Sequence, residues 1–190
     1  MNSLVIKPGS SSHSAYFLRD VHKETEERHT LGVLVDNEPG VLARVIGLFS
    51  GRGYNIDSLT VAEIDRASHL SRITIVTTGT PAVIEQIKAQ LGLMVPVHDV
   101  HDLTVKDAHL ERELALIKVV AAGEHRVEAL RMADLLGARV VDVTLDSFVF
   151  ELAQRTAEIN RFVELMRPLG LAEVTRTGVC AMKRGNGNEI

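Results

Sequence analysis

Hydrophobic and polar positions repeat one order of patterns twice along the chain. In the first copy, the alternation of Leu31, Val33 and Val35 predicts a strand. Apolar residues at helical spacing after Pro39 and Gly40 then predict a helix. Two strands joined by a turn at 65–68, a helix that begins at Pro81 and a strand over 94–105 complete the copy. The predicted order is strand, helix, strand, strand, helix, strand.

The second copy has the same order, with a strand over 113–121, a helix over 124–136 and two alternating strands that follow. In the first of these strands the pattern puts Asp142 on the solvent face, opposite Val141, Val143 and Leu145. A helix with one apolar stripe ends before Pro168, and a last strand covers 172–182. Each copy predicts a split βαββαβ unit, so the fold class is α+β with two ferredoxin-like domains in tandem.

The composition places the domain limits. Residues 1–29 mix Ser, Gly, Pro and charge, which predicts a flexible arm. The first domain covers 30–106 and the second 107–184, with a tail at 185–190. Each domain has only about 75 residues, so its isolated core is marginal. We therefore expect a homodimer in which edge strands and apolar surface are covered.

Charge and cysteine content limit the classes of function. A net charge of -4 and the lack of Trp argue against a nucleic-acid partner. The single cysteine, Cys180, cannot form an intramolecular disulfide, which favours a reducing cytoplasmic setting, and we expect its side chain to be buried. The sequence shows neither the basic start and apolar run of a secretory signal nor an apolar stretch long enough to cross a membrane, so we expect a protein that stays in the cytoplasm.

The segment with the most distinct chemistry is the turn between the first strand and the first helix. Unpaired N–H groups near Gly40 can hold a carboxylate, and the amide of Asn37 suits both ends of a zwitterion. Asn55 lies beyond the other end of the same helix, about 20 Å away within one chain. The two asparagines could therefore share a ligand only across a dimer interface.

Two long stretches of the first copy carry the most specific signal in the chain. They are Asp36-Asn37-Glu38-Pro39-Gly40-Val41-Leu42-Ala43-Arg44-Val45-Ile46-Gly47-Leu48-Phe49-Ser50 and Arg52-Gly53-Tyr54-Asn55-Ile56-Asp57-Ser58-Leu59-Thr60-Val61. Together they resemble the N-terminal ACT domain of the acetolactate synthase small subunits. The resemblance continues at 70–75, 111–114, 140–144 and 176–179, and the chain departs from many relatives at Pro39, Val41 and Cys180.

The resemblance implies a non-catalytic regulatory subunit that binds valine between two paired ACT domains. It implies that the subunit stimulates a large catalytic subunit of branched-chain amino acid biosynthesis and makes it sensitive to feedback inhibition. Thiamine diphosphate, FAD and magnesium are expected on that catalytic partner and no cofactor on this chain. The implied valine-binding residues are Asn37, Gly40 and Val41 of one subunit and Asn55, Ile56 and Thr60 of the other.

Other functions have weaker support in the sequence. A small ferredoxin-like enzyme of the acylphosphatase type would need Asn37 and Arg44 together at a phosphate-binding loop. An RNA-recognition module would need aromatic residues on its central strands, and neither 31–34 nor 114–117 provides them. His98 and His101 are three residues apart on a predicted strand and point to opposite faces, so we expect no metal site. No motif of a catalytic nucleophile is present in the sequence.

Overall fold

The computed structural model describes residues 25–104 and 109–185, which form two domains with the same order of elements. The first contains β1 (Glu27–Asp36), α1 (Val41–Arg52), β2 (Ser58–Asp65), β3 (Leu70–Gly79), α2 (Pro81–Gly92) and β4 (Val97–Asp102). The second contains β5 (His109–Val120), α3 (Gly123–Leu135), β6 (Arg139–Val143), β7 (Ser147–Gln154), α4 (Thr156–Met166), a short 3-10 helix (Arg167–Leu169) and β8 (Leu171–Lys183). The predicted fold class of two βαββαβ units is confirmed.

Each domain has one antiparallel sheet of four strands, ordered β2-β3-β1-β4 in the first and β6-β7-β5-β8 in the second. In the first domain, Leu31 and Val33 of β1 share a buried core with Val45 of α1 and Ile87 of α2. The two helices therefore cover one face of the sheet. The edge strands are β2 and β4 in the first domain and β6 and β8 in the second.

The core of the second domain is built on aromatic residues. Phe150 of β7 and Phe162 of α4 meet edge to face with ring centroids 5.8 Å apart. The apolar stripe predicted for α4 is confirmed, because its buried residues recur at helical spacing. They are Ile159, Phe162, Val163 and Met166.

Strand β1 begins three residues earlier than predicted. His29 is buried, with its Nδ1 2.8 Å from Oδ2 of Asp102 on β4. The Nη1 of Arg28 donates to Oε2 of Glu111 in the second domain at 3.2 Å. These polar residues belong to the fold because they find partners far along the chain, which a local pattern cannot indicate. Residues 1–24 of the predicted arm, the domain limit at 106 and residues 186–190 of the tail lie outside the described residues.

The burial expected for β6 is wrong. Asp142 is exposed as predicted, but Val141 and Val143 are exposed as well, and Leu145 is 96% exposed in the turn that leads to β7. An edge strand pairs on one side only, and in the part of the chain that the structure describes β6 pairs with β7 alone. The alternating pattern correctly predicted a strand, but it could not show whether other residues of the chain bury the apolar side chains of that strand.

The burial expected for Cys180 is also wrong, since this residue is exposed on β8. Its neighbours Val179 and Ala181 are buried against Val76 and Leu103 of the first domain. Side chains alternate between the two faces of a strand, so Cys180 points away from this contact. Its thiol lies 3.3 Å from the backbone oxygen of Arg112.

Candidate functional site

The start of α1 is open to a ligand. Gly40 is the N-cap, with a φ of 89° in the left-handed region that favours glycine, and it offers no side-chain cap. The first turn of α1 contains no acidic residue, and apart from the chain neighbours of Gly40 no heavy atom of the described residues would come within 4 Å of a Cβ added there. The first N–H groups of a helix lack intrahelical acceptors and carry the positive end of its dipole. The local structure can therefore accept an anionic group.

Asn37 lies beside this helix start and is held by the β2–β3 hairpin. Its backbone N–H donates to the carbonyl oxygen of His69 at 2.7 Å, and its side-chain Nδ2 donates to Oε1 of Glu63 at 3.1 Å. The Asn37 side chain is exposed. The hairpin therefore orients Asn37 and leaves it accessible from solvent.

The turn of that hairpin has its own polar support. The Asp65 carboxylate accepts from the hydroxyl of Ser68 at 2.7 Å and from the backbone N–H of Ala67 at 2.9 Å. These hydrogen bonds, the Ser68 hydroxyl first, lower the pKa of Asp65 below its usual value. His69, which follows, is the one described residue other than glycine with a positive φ, at 52°. The charged form of Asp65 thus stabilises the turn that presents the acceptor for Asn37.

Val41 presents only its backbone to the candidate site. Its side chain is 3% exposed and packs in the core of the first domain. Its N–H makes a long contact of 3.4 Å to the carbonyl oxygen of Glu38. A ligand at this helix start would meet the Val41 amide and not the isopropyl group.

Asn55 and Ile56 follow the other end of α1. Asn55 donates from Nδ2 to Oδ1 of Asp57 at 2.5 Å, and its backbone oxygen accepts from the hydroxyl of Thr77 at 2.6 Å. Ile56 is half-buried against the core of the first domain. The 12 residues of α1 separate this group from Gly40, which at the helical rise amounts to about 18 Å. One chain does not bring the two groups together.

The Thr60 hydroxyl is occupied within the chain. It donates to the backbone oxygen of Val179 at 2.8 Å, so it binds the second domain. The backbone N–H of Val179 in turn donates to the hydroxyl of Ser58 at 2.8 Å. Two hydroxyls of β2 therefore satisfy both backbone polar groups of Val179 on the edge strand β8.

Close approach at this junction depends on Gly178. Its φ is 86°, and an added Cβ would lie 2.9 Å from the Ser58 hydroxyl and 3.1 Å from Cγ2 of Thr60. The sequence interpretation missed Ser58, Gly178 and Val179 as contact residues. A glycine inside a strand pattern is a signal of close backbone approach and could have indicated the contact.

The first domain also exposes apolar side chains next to the candidate site. On α1 these are Leu42 and Ile46, and on the edge strand β2 they are Val61 and Ile64. Exposed apolar residues on an edge strand and an adjacent helix are a common feature of surfaces that pair with another chain.

The polar residues of an acylphosphatase-like site do not gather. Arg44 lines a groove between α1 and α2, together with Gln90 and Met94. Asn37 instead bonds to Glu63 of the β2–β3 hairpin. The two side chains face different parts of the domain, so they do not form one phosphate-binding loop.

The histidines of β4 pair with carboxylates. His98 Nε2 is 2.6 Å from Oδ1 of Asp36, and His101 Nε2 is 2.5 Å from Oδ2 of Asp99. Within residues 25–104 and 109–185, no three His, Cys, Asp or Glu residues are placed to hold a metal ion. Among the helices of the same residues, none is long and apolar enough to span a membrane.

Comparisons with known proteins agree with the fold of two domains. A family model described as "AHAS small subunit-like ACT domain" matches residues 31–99, and one described as "Small subunit of acetolactate synthase" matches residues 112–185. The chain is 46% identical to a probable acetolactate synthase small subunit of Archaeoglobus fulgidus, over 84% of this chain and 98% of that protein. It is 43% identical to the acetolactate synthase isozyme 3 small subunit of Escherichia coli, over 84% of this chain and 97% of that protein.

A solved structure matches over both domains. The acetolactate synthase small subunit from Thermotoga maritima superposes with a TM-score of 0.76 at 34% identity, covering 84% of this chain and 99% of that chain. With this fold, these matches and these relatives, the chain belongs to the acetolactate synthase small-subunit family.

Proposed function

We propose that this chain is the regulatory subunit of an acetolactate synthase and that it binds valine at an interface between the ACT domains of two copies. The small subunit would stimulate the large catalytic subunit. When valine binds the small subunit, the activity of the large subunit would fall, which is feedback inhibition. The observation that carries the proposal is the open start of α1, with a glycine N-cap, no acidic residue in the first turn and Asn37 exposed beside it.

In this proposal the helix start recognises the acid group of valine. The N–H groups after Gly40 would donate to the carboxylate, in the field of the positive helix end. Asn37 would accept from the ammonium through its side-chain oxygen. The Nδ2 of Asn37 already donates to Glu63, so the side-chain oxygen is the group of this amide that would meet the ammonium.

The second copy would complete the pocket. Because α1 separates Gly40 from Asn55 within one chain, a ligand in contact with both groups needs a partner. Asn55 of the partner subunit would supply a polar group and Ile56 of the partner subunit an apolar wall for the isopropyl group. The exposed apolar residues of α1 and β2 provide surface for such pairing.

Thr60 would act differently from the other proposed site residues. Its hydroxyl donates to the backbone oxygen of Val179 in the second domain. A ligand bound near β2 would therefore change the contact between the two domains. Regulation requires that valine bind two states of the complex with different affinity. The contact between β2 and β8 is a route by which occupancy of the first domain could bias the second.

The catalytic large subunit would carry the chemistry. We propose that thiamine diphosphate, FAD and magnesium are bound by that partner and that this chain contributes no reacting group.

The test is an assay of acetolactate formation by the large subunit with and without this chain, over a titration of valine. We expect a faster rate on addition of the chain and a loss of that rate as valine rises. Lysine, which is not a branched-chain amino acid, serves as the effector control and should leave the stimulated rate unchanged. An unchanged rate with and without the chain contradicts the proposed stimulation, and a stimulated rate indifferent to valine contradicts the proposed effector.

A further inference from the structure

A cavity lies at the junction of the two domains, away from the start of α1. Its volume is about 370 Å³, which is within the range of small-ligand pockets. We call it the junction cavity. Its charged and hydroxyl-bearing lining includes Arg28 and Asp57 of the first domain and Glu113, Thr156 and Arg176 of the second.

Two buried polar atoms on this lining have no partner among residues 25–104 and 109–185. One is Oε2 of Glu113, a residue that is only 5% exposed, and the other is the hydroxyl of Thr156. Buried polar groups in folded proteins almost always have a partner, and an ionised carboxylate is the most costly exception. Both atoms belong to residues that line the junction cavity, and a molecule bound there would satisfy them once the two side chains turn toward it.

The nearest cation does not satisfy Glu113. The Nη1 of Arg176 is 3.8 Å from Glu113 Oε1, too far for a hydrogen bond, and its Nη2 donates to Oδ1 of Asn160 at 2.6 Å. Asp57, the other acid on the lining, accepts hydrogen bonds on both oxygens, from Asn55 and from Thr78. Of the two acids on this lining, Glu113 is therefore the one with a carboxylate oxygen, Oε2, that accepts no hydrogen bond from the described residues.

The chemistry of the lining defines the ligand. An ionised carboxylate only accepts hydrogen bonds, so the group that meets Glu113 must be a donor, and an ammonium group makes the stronger bond. Arg28 and Arg176 on the same lining are cations with several N–H donors each, suited to an acid group. A ligand with a positive and a negative end close together meets both requirements.

We propose that the junction cavity binds an α-amino acid, with its ammonium on Glu113 and Thr156 and its carboxylate toward the arginines. This site is distinct from the one at the start of α1 and does not depend on it. Because the lining comes from both domains, an occupied cavity would hold them together in one arrangement.

The test uses the full chain carrying Gly40→Asp, which blocks the proposed site on α1. Each common α-amino acid is added at about 10 mM, enough to fill a site with a Kd of about 1 mM, and binding is followed by calorimetry and by thermal shift. We expect at least one amino acid to bind saturably. In the same background, Glu113→Gln should weaken that binding at least tenfold and Thr156→Val should weaken it several-fold.

The control is Glu164→Gln, which removes a carboxylate that pairs with Arg167 and does not line the junction cavity. We expect it to leave the affinity unchanged. If Glu113→Gln prevents folding, the affinity of the Thr156→Val chain decides the question. The proposal is overturned if no amino acid binds the Gly40→Asp chain, or if the Glu113 and Thr156 variants bind as tightly as that chain does. Failure of the proposed regulatory function would appear separately, in the acetolactate assay.

Discussion

Thr60 in the first domain donates its hydroxyl hydrogen to the backbone oxygen of Val179 in the second, at 2.8 Å. The N–H of Val179 donates to Ser58, which lies two residues from Thr60 on the same strand. At this position the outer edge of β8 is therefore satisfied by side chains of another domain, not by another strand. This contact ties the strand next to the proposed valine site to the last strand of the second domain.

The variant Thr60→Val should weaken the junction. Valine has nearly the same shape but no hydroxyl, so the Val179 oxygen loses its partner in a partly buried contact, at a cost of about 1 kcal/mol in the free energy of unfolding. Urea denaturation followed by circular dichroism measures this change. Thr60→Ser keeps the hydroxyl and should lose less. A Thr60→Val chain as stable as the parent, or less destabilised than Thr60→Ser, would show that this hydrogen bond does not hold the junction.

The variant Gly178→Ala should destabilise the domain junction more than Thr60→Val does. Its Cβ would lie 2.9 Å from Ser58 Oγ, in addition to the strain of a left-handed backbone. We expect a loss of about 2–4 kcal/mol, the sum of about 1 kcal/mol for the backbone and about 1–3 kcal/mol for overpacking. Faster hydrogen exchange of the β2 and β8 amides should accompany it.

Gly137→Ala is the matched control for Gly178. Gly137 has a similar φ of 70°, and apart from its chain neighbours no heavy atom of the described chain lies within 4 Å of an added Cβ, so this variant carries the backbone strain alone. If both variants lose the same free energy, the close approach at the junction does not contribute to stability.

The order of elements could be predicted because it depends on neighbours in sequence. Alternation at Leu31 and Val33 and the helical spacing in α4 are local signals, and a strand and a helix form over those residues. Contacts between residues far apart in the sequence leave no such local signal. The start of β1 was missed because His29 is stabilised by Asp102, 73 positions away.

The candidate site was predictable in part for the same reason. The glycine N-cap and the polar turn before α1 are local features, and the structure has them where the sequence indicates. The role of Thr60 at the domain junction was not predicted, because its partner Val179 lies 119 positions along the chain. Exposure of Val141 and Val143 was missed because a period of two identifies a strand but not what covers it.

Acid should loosen the turn that positions Asn37. The pKa of Asp65 is lowered in the folded chain by the Ser68 hydroxyl, so its charged form stabilises the fold above the unfolded pKa. This contribution is lost as the pH falls through the folded pKa. The midpoint of thermal unfolding should therefore drop less between about pH 5 and pH 2 in Asp65→Ala than in the parent chain. Asp142→Ala, which removes an exposed carboxylate from β6, is the control. The same acid dependence in Asp65→Ala and the parent chain would contradict this role.

Valine binding should depend on the start of α1. Gly40→Asp puts a carboxylate where the acid group of valine would sit, and we expect no measurable binding by calorimetry. Asn37→Ala removes a partner of the ammonium and should weaken binding about tenfold or more, which corresponds to about 1.4 kcal/mol. Gly123→Asp is the matched control, because Gly123 also has a positive φ, lies at the start of a helix and has open space around it. We expect that control to bind valine as the parent chain does. Unchanged valine affinity in both site variants would show that valine does not bind at the start of α1. A loss of affinity in all three variants would show that the substitutions damage the fold.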